Sequence, residues 1–103
     1  MRILSKPIEF EWDAGNTNKN LIKHKVSNKE CEDVFTSNRF LLLKDQPHSS
    51  LENRYIVIGP TVSTKILKLI ITLRDRRVRV ISARPASRKE RQFYEKTIKN
   101  PEI

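Results

Sequence analysis

The segment from Arg74 to Tyr94 reads RDRRVRVISARPASRKERQFY. Its first half places Val78, Val80 and Ile81 between arginines, the pattern of a strand with a side to bury. The chain turns at Pro85-Ala86. Ser87, followed three residues later by Glu90, then has the form of a capping box that opens a helix. Eight of the 21 residues are Arg or Lys. A core strand that carries arginines and runs straight into a basic helix holds cations in a fixed array. The ligand that suits such an array is a chain of phosphates, so the segment points to a nucleic-acid binder or a nuclease.

Upstream, Ile66 to Leu73 is the strongest strand signal, with Leu67, Leu69, Ile71 and Leu73 on one face and Ile66 and Ile70 on the other. Apolar residues on both faces mark a central strand. The tight turn at Asp75-Arg76 makes the strand Val78–Ala83 its antiparallel partner. Arg54 to Ile58 alternates in the same way and ends at Gly59-Pro60. Phe40 to Leu43 is a short apolar run, and the loop KDQPHSSLEN follows it. Residues 28–37 read as a helix, with Ser27 and Glu30 as a capping box and Cys31, Val34 and Phe35 as its apolar stripe. Before it, Asp13 stands as the cap of a weaker helix held by Leu21 and Ile22, with Asn20 and His24 on one face. Ile8 to Trp12 alternates as a half-buried strand. The last helix spans Ser87 to Ile98, with Phe93, Tyr94, Thr97 and Ile98 inward, and Asn100-Pro101 closes it. The fold class is α+β, a small antiparallel β-sheet with helices packed on one face.

The chain has 103 residues, enough for one domain over residues 1–103. Lys and Arg exceed Asp and Glu by nine, the pI is about 10.1 and 37 % of residues are hydrophobic. Such a balance favours polyanions, nucleic acid before an acidic protein or a membrane surface. No apolar run approaches the roughly 20 residues that span a bilayer, and MRILSKPIEF lacks a signal-peptide core. A single cysteine, Cys31, fits a reducing cytosol. One Cys and two distant His residues give no zinc spacing. With glycine only at 15 and 59 there is no phosphate loop.

Four motifs then follow in register: Phe10-Glu11-Trp12-Asp13; Asn20 with Lys23-His24-x-Val26-Ser27; Arg54-Tyr55 with Ile58-Gly59; and Arg79-x-Ile81-Ser82-Ala83-Arg84 with Ala86-Ser87-x-x-Glu90-Arg91-x-x-Tyr94. In order and spacing they resemble the BrnT family of bacterial toxins over nearly the whole chain. The resemblance implies a RelE-like ribonuclease in the bacterial cytoplasm, with RNA as substrate. It also implies a BrnA-type antitoxin, a ribbon-helix-helix DNA-binding protein that silences the toxin in a hetero-oligomer. The family usually has Lys at Asn16, Gly at Lys25, an aromatic residue at Asn28 and Gly-Arg near Thr64-Lys65.

Metal-free RNA cleavage needs a base for the 2′-OH, an acid for the leaving 5′-oxygen, and fixed cations for the charge that builds on phosphorus. No cofactor is expected. His24 is the near-neutral group available as base or acid, against a bland role bonded to Asn20 or the sheet. Arg54, Arg79 and Arg84 are the catalytic clamps, because the guanidinium fork binds phosphate bidentately and keeps its charge. Lys23, Arg74, Lys65 and Arg88 extend the phosphate-binding set. The plain alternative for these cations is a solvated face or salt bridges to Glu52, Asp75 and Glu90. Arg84 is the best single choice, since it ends a buried strand beside a helix start. Glu90 is a candidate base and otherwise a cap; Tyr94 is a candidate stacker or proton donor and otherwise core. Asp13 caps a helix or orients a cation from the sheet. Two other functions fit the same residues: a non-catalytic nucleic-acid-binding module, and a degenerate toxin that only assembles with its partner to repress an operon.

Overall fold

The computed structural model describes residues 7–45 and 53–99. In chain order these form α1 (Lys19–His24), α2 (Asn28–Thr36), β1 (Leu41–Lys44), β2 (Arg54–Pro60), β3 (Ile66–Arg74), β4 (Arg77–Pro85) and α3 (Arg88–Lys99). The strands make one antiparallel sheet in the order β1-β2-β3-β4. This is the expected α+β class, and β3 is an interior strand as its two apolar faces require. Asp75 and Arg76 turn the β3–β4 hairpin with φ of 50° and 67°. Two left-handed residues in a two-residue loop give the twist that matches the flanking strands.

Core packing follows from alternation. Val57, Leu69 and Ala83 lie side by side across β2, β3 and β4, as do Ile71 and Val80 one step along, and all are fully or almost fully buried. α2 covers them with Cys31, Val34 and Phe35. Its capping box is complete: Glu30 donates its N–H to Ser27 Oγ at 3.1 Å and accepts the Ser27 N–H at 3.0 Å. Burial pushes the Cys31 thiol up to about 12, so it is an inert core group. α2 sits close because β2 offers no side chain at Gly59, where a Cβ would lie 2.8 Å from Phe40 Cβ and 2.9 Å from Val34 Cγ1.

The N-terminal segment departs from the sequence reading. Ile8 to Trp12 is not a strand of the sheet; it runs extended along the outer edge of β4 and makes one parallel bridge, Phe10 to Val78. Glu11 donates its N–H to the Val78 carbonyl at 2.8 Å, and Val78 donates to Glu9 at 2.8 Å. Two asparagine side chains continue the seal. Asn16 Nδ2 donates to the Val80 carbonyl at 3.2 Å, and Asn20 Oδ1 accepts the Ala83 N–H at 3.0 Å. Both residues are buried, and their side chains close a sheet edge.

Asp13 caps no helix: it accepts the Gly15 N–H at 2.8 Å in a turn, and α1 starts only at Lys19. Leu21 and Ile22 do not hold α1 down, being 45 % and 86 % exposed. Asn20 anchors the helix in their place, because a polar side chain can complete the unpaired edge of β4 and an aliphatic one cannot. Lys25 ends α1 with φ 59°, and Thr64 has φ 68°. Both hold a left-handed conformation, which glycine adopts without strain.

The Ser87–Glu90 capping box forms as read, with Glu90 N donating to Ser87 Oγ at 3.2 Å and Ser87 N to Glu90 Oε1 at 2.8 Å. On α3 Tyr94 is buried, but Phe93 is 46 % exposed and not inward. No helix among the described residues is long and apolar enough to cross a membrane.

Candidate functional site

The sheet face opposite α2 carries most of the charged residues of the strands. Register aligns three rows across it: Arg54–Thr72–Arg79, Ile56–Ile70–Ser82, and Ile58–Lys68–Arg84. Strict alternation would send Arg79 and Arg84 to opposite faces, since they are five residues apart. A bulge between Ile70 and Ile71 resolves this: Ile71 pairs with Val80 and Ile70 with Ser82, which leaves Ile81 as the extra residue. Both arginines therefore share one face. A cleft of about 250 Å³ opens there, lined by Arg54, Lys68, Ser82, Asp45, Ile56, Ile70 and Ile81.

Arg84 grips Glu90 through two parallel bonds of 2.9 Å, and Lys68 Nζ reaches the same carboxylate at 3.2 Å. The Arg84 guanidinium, the Ser87 backbone and Lys68 hold the Glu90 carboxyl down at about 2. A carboxylate that acidic is a poor proton acceptor near neutral pH, so its geometry is that of an anchor for two cations. At the far end of the face, Arg79 donates to Asp13 at 2.8 and 3.0 Å and lies 3.5 Å from Glu11. Asp13 thus orients a cation from the sheet, and the Arg79 guanidinium holds its carboxyl below the usual range.

The remaining predicted residues are scattered. Arg54 lines the cleft with Lys68. Lys23 is exposed and His24 half-buried at the end of α1; neither lines the cleft. Their helix docks beside it, however, through Lys19 Nζ, 3.4 Å from the Ile81 carbonyl. Lys65 pairs with Glu30 of α2 at 3.0 Å, Arg74 is exposed at the end of β3, and Arg88 is exposed on the first turn of α3. Tyr94 is buried with its hydroxyl donating to the Arg39 carbonyl at 2.5 Å, and burial raises its pKa. That is a core position. His48 and Glu52 lie outside the described residues. Lys68 and Asp45 are not picked out by sequence reasoning, and Ser82 enters there only as part of a motif. Lys68 had a visible signal: it is the one charge inside the run from Ile66 to Leu73, and alternation puts it on the face of Ile66 and Ile70.

No curated protein sequence matches the chain. A family model does match, over residues 12–90, and its description is ribonuclease toxin, BrnT, of type II toxin–antitoxin system. The matched stretch runs from Trp12, beside the Asp13–Arg79 pair, to Glu90, the anchor of Arg84 and Lys68. It covers more than half of the chain, and the protein belongs to the BrnT family of ribonuclease toxins.

Proposed function

We propose that the chain is an endoribonuclease that cuts RNA without a metal, by attack of a ribose 2′-OH on the adjacent phosphate, and that a BrnA-type antitoxin neutralises it. The observation that supports this best is the cluster of Arg84 and Lys68 around Glu90. Two cations share one carboxylate and keep a net positive charge beside an open cleft. Arg84 and Lys68 meet the phosphate from one side and Arg54 from the other, stabilising the charge that develops as the 2′-oxygen adds. Glu90 spends no proton; it keeps Arg84 and Lys68 close before substrate arrives. His24 takes the 2′-OH proton, with Lys23 beside it on a neighbouring phosphate, as RNA lies from the cleft over Ile81 towards α1. The bond from phosphorus to the 5′-oxygen breaks as that oxygen takes a proton from a water molecule in the open cleft, leaving a 2′,3′-cyclic phosphate on one fragment and a 5′-hydroxyl on the other.

The test is cleavage by purified protein in the presence of EDTA. Fragments ending in 2′,3′-cyclic phosphate are expected. Absence of cleavage at every pH from about 5 to 9 would overturn the reading. Salt-sensitive RNA binding without cleavage would then identify a binding module.

A further inference from the structure

α1 exposes two adjacent aliphatic side chains that its own stability does not use. The helix is pinned by Asn20 to Ala83 N, by Lys19 to the Ile81 carbonyl, and at its end by the Lys25 N–H donating to the Leu21 carbonyl at 3.0 Å. Leu21 and Ile22 project from this fixed support at 45 % and 86 % exposure. Lys19, Lys23 and Lys25 surround them, all exposed, and the sequence carries no Asp or Glu between Asp13 and Glu30. An apolar centre with a charged rim is the layout of a protein–protein contact. RNA suits it poorly: phosphates would match the lysines, but bases stack on aromatic rings and guanidinium planes, which Leu21 and Ile22 do not supply.

We propose that the Leu21–Ile22 surface of α1 is the docking site for the antitoxin, through a segment whose apolar side chains are flanked by Asp or Glu. The proposal rests on the toxin reading above. Charge complementarity selects the occupant: a partner that silences a protein of net charge +9 gains speed and selectivity by being acidic where it meets the lysine rim. Docking here also covers Lys23, the neighbour of Ile22, so that binding and loss of RNA contact are one event.

The experiment uses the toxin and the antitoxin expressed from their native operon, separated and titrated against each other. Ile22→Asp and Leu21→Asp are each expected to weaken the complex by about thirtyfold or more, the loss typical of a central anchor. Ile22→Leu should bind like wild type, and Ile22→Ser should fall between. Melting temperature and RNA cleavage by the free variants should match wild type, and added salt should slow association. Wild-type affinity in the Leu21→Asp/Ile22→Asp double variant would overturn the proposal. So would a variant whose RNA cleavage falls while its antitoxin affinity is kept. Free toxin that never cleaves RNA yet binds antitoxin in an Ile22-dependent way would sink the nuclease reading and leave the docking site standing.

Discussion

Arg79 and Arg84 belong to one strand, point to one face and each meet a carboxylate through two parallel bonds, yet their surroundings differ in charge. Arg79 stands between Asp13 and Glu11, with Arg74 close enough to act on Asp13 as well, so its charge is balanced, and its side chain is only 14 % exposed. Arg84 shares Glu90 with Lys68, two cations against one anion, and is 37 % exposed. The first arrangement staples the N-terminal segment to the edge of β4. The second leaves a positive site facing solvent, where the proposed reading puts the phosphate. The guanidinium group is the same in both; the number of acids around it separates a staple from the proposed binding site.

Substitutions can break this contrast. Arg84→Ala should have the largest effect, lowering RNA cleavage by about 10²–10³-fold, the range for one lost transition-state donor, with an unchanged circular dichroism spectrum. Glu90→Gln, which keeps the shape but loosens both cations, should cost about tenfold through misplacement alone. Arg79→Ala should reverse the pattern: cleavage per folded molecule near wild type, with a lower melting temperature as the N-terminal segment loosens. To isolate Arg79 from stability, Thr64→Gly relieves a left-handed residue and should add about 0.5–1 kcal/mol in denaturant titration. If Arg79→Ala combined with Thr64→Gly regains the melting temperature yet stays inactive, Arg79 is part of the site and the contrast fails.

The smallest effect concerns acid. Glu90 has a folded pKa of about 2 against an ordinary 4.5. Its stabilising contribution is therefore complete above pH 4.5 and is lost as pH falls towards 2. The difference in melting temperature between wild type and Glu90→Gln should be constant around neutrality and shrink below pH 4.5. A gap that persists at the lowest pH would show that the carboxylate charge is not what joins α3 to the sheet.

Much of the fold was legible because its signals are local. The capping boxes at Ser27 and Ser87 need only a hydroxyl and a glutamate three residues apart. The run from Ile66 to Leu73 declares its own interior position, and the motifs around Arg54, Arg84 and Glu90 carry the family resemblance that the match over residues 12–90 bears out. What misled was polar. Leu21 and Ile22 read as anchors because apolar residues usually are, whereas buried Asn16 and Asn20 hold that segment. Their role depends on unpaired groups of a strand more than sixty residues away, and no local pattern announces such a partner. Tyr94 reads as core, with chemistry as the other reading, until its hydroxyl is seen on the Arg39 carbonyl.

The residues alone determined the elements from α2 onward, the α+β class, the positive charge and the toxin family, since periodicity, caps and motif spacing are properties of neighbours in the chain. Tertiary structure decided which arginines share a face. One extra residue, Ile81, shifts the register of β4 so that Arg79 and Arg84 point the same way, and alternation counted along the chain cannot reveal a bulge. It also decided their company. Asp13 and Glu11 reach Arg79 by running along a sheet edge, and Lys68 reaches Arg84 across a strand pair. Whether a charge is neutralised or left available depends on neighbours in space.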